Sequence, residues 1–188
     1  MRYGLLSCCW KLTTPCRHGA ASSCYRGVRT TPQTGLKPAR LAAVTANGQV
    51  LKEHKMSATW AAVGLLFADS REMIEEFAPE VKPVYKKGNH NPYLLQTGSN
   101  EVEDPIHFAP SIIRKIMLVP DQEIATHTFS HFLSREDNVT INAFLSDIES
   151  AIKISEAYGL RIRSIVFPKN RLIKEFIDVL PLLGINVY

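Results

Sequence analysis

Glu123-Ile-Ala-Thr-His-Thr-Phe-Ser-His-Phe132 is the stretch on which the reading of this chain turns. Its opening predicts a strand over 123–128, short and apolar at its centre. Two histidines, His127 and His131, follow at a four-residue spacing. That spacing places two imidazoles on one face of a helical turn, close enough to hold a single divalent ion. The competing reading is two partly buried histidines bonded to backbone. Position favours the ion, because in parallel α/β sheets and barrels ligands gather at the carboxyl ends of strands. The hydroxyls of Thr128 and Ser130 are candidates to fix the orientation of the rings from behind.

Working outward, strands and helices alternate. Ala58 to Gly64 (ATWAAVG) is an apolar run ending at glycine and predicts a buried strand. Asp69 starts a helix through about Phe77, with Glu72 three residues on in a capping-box-like arrangement. Residues 78–110 are interrupted by Pro79, Pro83, Pro92, Pro105 and Pro110 and read as a long irregular segment, a kind usually functional or mobile. A helix is expected over Ser111–Leu118. Thr140 caps the clearest helix, with Ile141, Phe144, Leu145, Ile148, Ile152 and Ser155 on one face and Gly159 at its end. Ile162 to Phe167 reads as a strand halted by Pro168, and Leu172 to Leu183 as a helix that Pro181 ends early. Gly184 closes that helix, and Ile185–Tyr188 opens a further strand. The alternation predicts an α/β fold with a mainly parallel sheet, and a last strand with no helix behind it suggests an interrupted series. No internal repeat is found.

The chain has 188 residues, 45% of them apolar, which suits one ordinary domain with a real core. That balance argues against collagen, a wholly disordered chain or a mucin-like stalk. The longest apolar stretch, Ala58 to Ala68, is far short of the roughly 20 residues of a membrane span. The net charge of +4 is unevenly placed: residues 1–52 carry eight Lys and Arg and no Asp or Glu, leaving 14 Lys and Arg against 18 Asp and Glu in the remainder. A +8 segment therefore precedes a −4 one, which suggests an appended basic leader over residues 1–50 and a globular part over 51–188, not a nucleic-acid-binding domain. The leader is rich in Ser and Thr and poor in acids, as an organelle transit peptide is, with a disordered tail or gene-model artefact as the other reading and a cytoplasmic location left open. Cys8, Cys9, Cys16 and Cys24 all lie in it, at spacings that match structural zinc sites poorly.

Thr126-His-Thr-Phe-Ser-His131 resembles the second motif, His-(Ser/Thr)-x-x-His, of the NodB-homology polysaccharide deacetylases, carbohydrate esterase family 4. Ala58-Thr-Trp-Ala-Ala-Val-Gly64 resembles the family's second strand, and Ser164-Ile-Val-Phe-Pro-Lys-Asn-Arg171 is similar to its third-motif region. The resemblance runs over roughly residues 50–188. It implies part of a distorted (β/α) barrel, and removal of acetyl groups from N- or O-acetylated poly- or oligosaccharide. It further implies a zinc-like ion held by one Asp and two histidines, here His127 and His131. A second Asp would take the proton of the bound water and a later His would protonate the leaving amine.

The chain departs from that pattern. The family's first motif, which carries both Asp residues, belongs upstream of Ala58, where residues 1–52 hold no acid. The later motifs have no counterpart, and Lys169 and Arg171 both stand near the position of the family's third-motif Arg. Asp104, His107, His90 and Glu123 are available as substitute ligands, with His107 and Asp104 the foremost. The expectation is weak zinc binding and little or no deacetylation. Two variants follow: a fragment of an enzyme, or a degenerate protein that binds sugar without turnover. A small organelle-directed α/β protein with a structural His pair is the alternative.

Overall fold

The computed structural model describes residues 48–86, 90–171 and 173–188. The four cysteines and nearly all of the basic leader, with the transit-peptide reading that rests on them, lie outside the described residues. Residues 48–53 are helical. Six further elements follow: β1 (Thr59–Ala62), α1 (Arg71–Phe77), α2 (Pro110–Met117), β2 (Glu123–Thr126), α3 (Ile141–Glu156) and α4 (Lys174–Ile177).

β1 and β2 pair in parallel, from Thr59 with Glu123 to Ala62 with Thr126. Parallel strands need a crossover, and residues 63–122, with α1, α2 and the proline-rich segment, supply it. Isolated parallel bridges carry the order onward, Thr126 to Ile165 and Ser164 to Val187. The α/β class and the parallel direction thus agree with the sequence. Among the described residues, however, the sheet proper has two strands, and no closed barrel is formed. The strand expected over Ile162–Phe167 is held to the sheet chiefly at Ser164, Ile165 and Val166, where Thr126 N donates to Ser164 O at 3.0 Å and Val166 N to Thr126 O at 2.9 Å. β2 ends at Thr126, two residues early, because Thr128 takes a left-handed φ of 65° that no pleated strand accommodates.

The helices show where periodicity reads true and where it drifts. α1 is capped by Ser70, whose Oγ accepts from Met73 N, and not by Asp69. Ser70 is also the residue in extended conformation, which is what a cap requires. α3 is capped by Thr140 as expected. Its buried face comprises Ala143, Phe144, Asp147, Ile148, Ser150, Ala151, Ile154 and Ser155, so the stripe is rotated from the expected one: Ile141 is exposed and Ile152 half-buried. α3 packs on the 3-10 turn Gly64–Phe67 and on α1 and α4, and small residues on its buried face permit a close approach to such neighbours. The expected helix over Leu172–Leu183 is divided into α4 and a 3-10 turn, Leu180–Leu183, with Pro181 in its first turn. Gly184 then adopts φ 76°, a conformation glycine takes without steric cost.

One core joins these pieces, from Trp60, Leu66 and Phe67 through Phe129 and Phe132 to Phe144, Ile148 and Phe176. Phe144 stacks on Phe176 with ring centres 4.6 Å apart and planes 8° apart, and on Phe167 at 6.0 Å. Such stacked aromatic pairs add directional attraction to the area they bury. The 3-10 turn Gly64–Phe67 carries the chain off the end of β1 and against the segment after β2: Gly64 N donates to Thr128 O at 2.9 Å and Leu65 N to Phe129 O at 3.0 Å.

Gly64 is required there by proximity. A Cβ on it would lie 2.6 Å from Phe129 Cδ2 and 2.9 Å from Phe129 Cα, and the second of these is backbone that cannot swing aside. Gly64→Ala is expected to cost about 1–3 kcal/mol through overpacking. The measure is the urea midpoint at unchanged slope; a midpoint equal to the wild type's would show that the two segments have room to part.

Candidate functional site

His127 is the first residue beyond β2, and the sheet still grips it: its amide donates to Ala62 O at 2.7 Å. The ring is buried and its Nδ1 lies 2.6 Å from Val166 O. A carbonyl only accepts, so Nδ1 carries the proton and Nε2 holds the lone pair. Nε2 is buried and makes no hydrogen bond. A buried nitrogen acceptor without a donor is costly. One arrangement gives it a purpose: a histidine whose Nδ1–H is held by a carbonyl points Nε2 at a cation.

The His131 ring meets this one edge to face, with centres 5.1 Å apart and planes at 61°. The sequence places both rings on a helical turn, and here the structure differs. Residues 127–131 are not helical, and both Thr128 (φ 65°) and His131 (φ 58°) are left-handed. A tight irregular turn, not helical spacing, brings the rings together. Two imidazoles sharing one tetrahedral ion at Zn–N distances of ~2.0–2.1 Å would have ring centres roughly 5 Å apart, so the observed separation fits two positions of a shared ion.

The turn is held from several sides. Asp147, on α3 and fully buried, accepts from Phe129 N at 2.7 Å, from Ser130 N at 3.1 Å and from Ser130 Oγ. Thr128 Oγ1 accepts from Phe132 N at 2.7 Å. The two hydroxyls singled out in the sequence therefore secure the backbone of the turn, while the His127 ring is oriented by Val166. Further along, Leu133 N donates to Tyr85 Oη at 3.1 Å and Ser134 Oγ to Arg171 O at 2.9 Å. Asp147 and Tyr85 belong to no motif that the sequence displays, and the Val166 carbonyl, though it lies in the segment Ser164–Arg171, is backbone that no side-chain pattern marks. Asp147 had one visible signal, an acid between Phe144 and Ile148 on the apolar stripe of its helix.

Burial sets the electrostatics. Desolvation lowers His127 to about 4, with the Val166 bond opposing it. Desolvation likewise lowers His131 to about 4, aided by His127 and by Lys169. Both rings are thus neutral at pH 7, the state in which imidazole ligates metal. Burial pushes Asp147 up to about 7 against three hydrogen bonds that favour its ionised form.

Lys169 is close enough to act on His131, and it shares a small cleft with Leu133, Ser134, Arg135, Glu136, Pro168 and Arg171. Arg171 gives its carbonyl to Ser134, so the segment Ser164–Arg171 does meet the segment that follows the histidines. The substitute ligands do not join the pair. Asp104 binds His107 Nδ1 at 2.7 Å and Gly98 N at 3.1 Å within its own loop. His90 Nδ1 lies 3.3 Å from Glu136 Oε1. Glu123 accepts from Thr59 Oγ1 at 2.6 Å and Ser164 Oγ at 2.5 Å, at the opposite end of β2. Among the described residues no group of three or more His, Cys, Asp or Glu is placed to hold a metal. The pair therefore fits two ligand positions and falls short of the three protein ligands of a catalytic zinc. No helix among the described residues is long and apolar enough to cross a membrane.

The solved structures similar to this chain include three of one fold family. A carbohydrate esterase family 4 pseudoenzyme from Bacillus anthracis aligns over 78% of this chain and 38% of its own at 12% identity, with a TM-score of 0.49. A mutant of that pseudoenzyme aligns over 78% and 39% at 12% identity and a TM-score of 0.49. The peptidoglycan deacetylase PdaC of Bacillus subtilis aligns over 82% and 53% at 15% identity and a TM-score of 0.46. This chain thus spans between 38% and 53% of the length of these structures. No family model matches it, and no curated protein matches it.

The depressed histidines carry a sign that can be measured. Between about 4 and 6.5 the unfolded chain binds protons that the folded rings refuse. Their stability contribution is complete above about 6.5 and is lost as pH falls toward 4, with a slope approaching about 1.4 kcal/mol per pH unit for each ring. Asp147, raised in the fold, contributes the opposite slope in the same window, so the difference between two proteins is the useful quantity. Urea unfolding from pH 4.5 to 7 is expected to give His127→Gln a flatter stability profile than wild type by about one proton. Parallel profiles would show that burial does not hold His127 neutral.

Proposed function

We propose that this chain is a polysaccharide-deacetylase-like protein, part of a (β/α) barrel of the NodB-homology type. In this reading it binds a divalent ion, zinc foremost, weakly through His127 and His131. It engages acetylated poly- or oligosaccharide with little or no turnover of its own. The observation that carries the reading is the His127 ring, whose Nδ1 is committed to Val166 while its buried Nε2 has no partner beside a second neutral imidazole. The motif resemblance of Thr126–His131 supplies the substrate class.

A bound ion would polarise an acetyl carbonyl and acidify a water. The residues described do the rest only in part. His127 and His131 offer two lone pairs, and the turn between them is held rigidly. Arg135, Lys169 and Arg171 line a small cleft, and Lys169 is near enough to act on His131; cationic groups of this kind suit hydroxyl and carbonyl oxygens of a sugar. A carboxylate to complete the ion's ligands and to take a proton from water is missing from this arrangement, and the 52 residues before Glu53 contain none. The described residues therefore supply no general base for hydrolysis.

Zinc titration against a chromophoric chelator tests the ion. Wild type is expected to bind with modest affinity, and His127→Ala and His131→Ala each to lose at least tenfold. Equal binding by all three would remove both histidines as ligands; no binding by wild type would leave a structural histidine pair. Acetate release from an acetylated chitooligosaccharide is expected to match the His131→Ala background, and a rate clearly above it would show that the chain is a working hydrolase.

A further inference from the structure

We infer that Asp147 is a positioning residue of the histidine site: by holding the amides of Phe129 and Ser130 it keeps the His131 ring against His127. The metal consequence rests on the reading proposed above; the ring geometry does not.

The two rings are secured by different parts of the fold. His127 is fixed by the sheet, through Ala62 O on its amide and Val166 O on its ring. His131 lies four residues further on, at the far end of the turn. Two residues of that turn, Thr128 and His131, are non-glycines at positive φ. Such conformations persist only where the surroundings over-determine them, and Thr is β-branched, which makes its case the more demanding. α3 supplies that determination. Asp147 Oδ1 takes Phe129 N at 2.7 Å, and Oδ2 takes Ser130 N at 3.1 Å together with Ser130 Oγ.

An acid at the centre of an apolar helix face is otherwise unfavourable. Asp147 is fully buried between Phe144 and Ile148, where Ala143 and Ala151 complete the stripe. A carboxyl can accept at two oxygens at once and so engages two successive amides and a hydroxyl, which no apolar residue does. The anchor is firm, since the same helix turn bears Phe144, stacked on both Phe167 and Phe176. Asp147 touches neither imidazole in any of these bonds, so it acts through the turn and is not itself a ligand.

The test uses the whole chain, isotopically labelled and metal-free, and reads the nuclear Overhauser contact between the His127 and His131 ring protons. Asp147→Asn is nearly isosteric but turns an acceptor into a donor facing Ser130 N. It is expected to weaken the ring contact at least fivefold and zinc affinity at least tenfold. Ile154→Val, on the buried face of α3 away from the turn, is expected to lower the melting temperature while leaving both readouts as in wild type. A folded Asp147→Asn with the ring contact and the zinc affinity of wild type would overturn the inference. Should that variant not fold, Asp147→Ser decides, since its short hydroxyl cannot span both amides: a weakened ring contact supports the inference, and an unchanged one overturns it. If wild type takes up no zinc, the metal reading fails alone and the ring contact still judges Asp147.

Discussion

The amides of Phe129 and Ser130 and the hydroxyl of Ser130 all converge on one carboxyl, that of Asp147, in the interior of the protein. Without that acceptor, two backbone N–H groups would be buried without partners, and the left-handed residues beside them would lose a principal restraint. The aromatic stack of Phe144 with Phe167 and Phe176 fixes the helix that carries the carboxyl. Gly64 lets the segment after β1 press on Phe129 from the other side. Strand end, helix and turn are thus mutually dependent, and the histidine pair sits where they meet.

The site's chemistry follows from dryness more than from charge. Both rings are neutral because burial disfavours the imidazolium, and His127 and Lys169 lower the proton affinity of His131 only as a secondary effect. Lone pairs are therefore available at neutral pH without displacement of ring protons. The acids that might complete a metal's ligands are occupied elsewhere. Glu123 joins hydroxyls at the amino end of β2, and Asp104 organises the loop that contains His107. A parallel strand has two ends, and only its carboxyl end is shared with the histidines.

Much of the architecture was legible because it is local. The apolar run after Ala58, the Thr140 cap and the glycine after Leu183 each act through neighbours within a few residues, and each stands where it was expected. Errors arose where a choice between neighbours depended on distant contacts. Ser70 and not Asp69 caps α1 because the extended backbone falls at Ser70. The buried stripe of α3 is rotated toward Ala143 and Ala151, the face that packs against the rest of the core, although hydropathy ranks these side chains below Ile141 and Ile152. The split of the last helix was anticipated from Pro181, whose ring cannot continue an α-helix.

While the expected strands near Ile165 and Val187 are reduced to isolated bridges, the sequence by itself determined most of the element types, the parallel α/β class, and the placing of two histidines just beyond a strand. Those depend on side-chain period and on capping chemistry, which are properties of short windows. Tertiary structure alone decided that the pair is joined by an irregular turn, that His127 is oriented by a carbonyl 39 residues away and that an acid 17 residues beyond Ser130 secures the turn. It also decided that both rings are neutral and one nitrogen is left unbonded. Hydrogen bonds between remote segments and the loss of water around a ring come into being only when the chain has closed on itself, and no local pattern of residues records them.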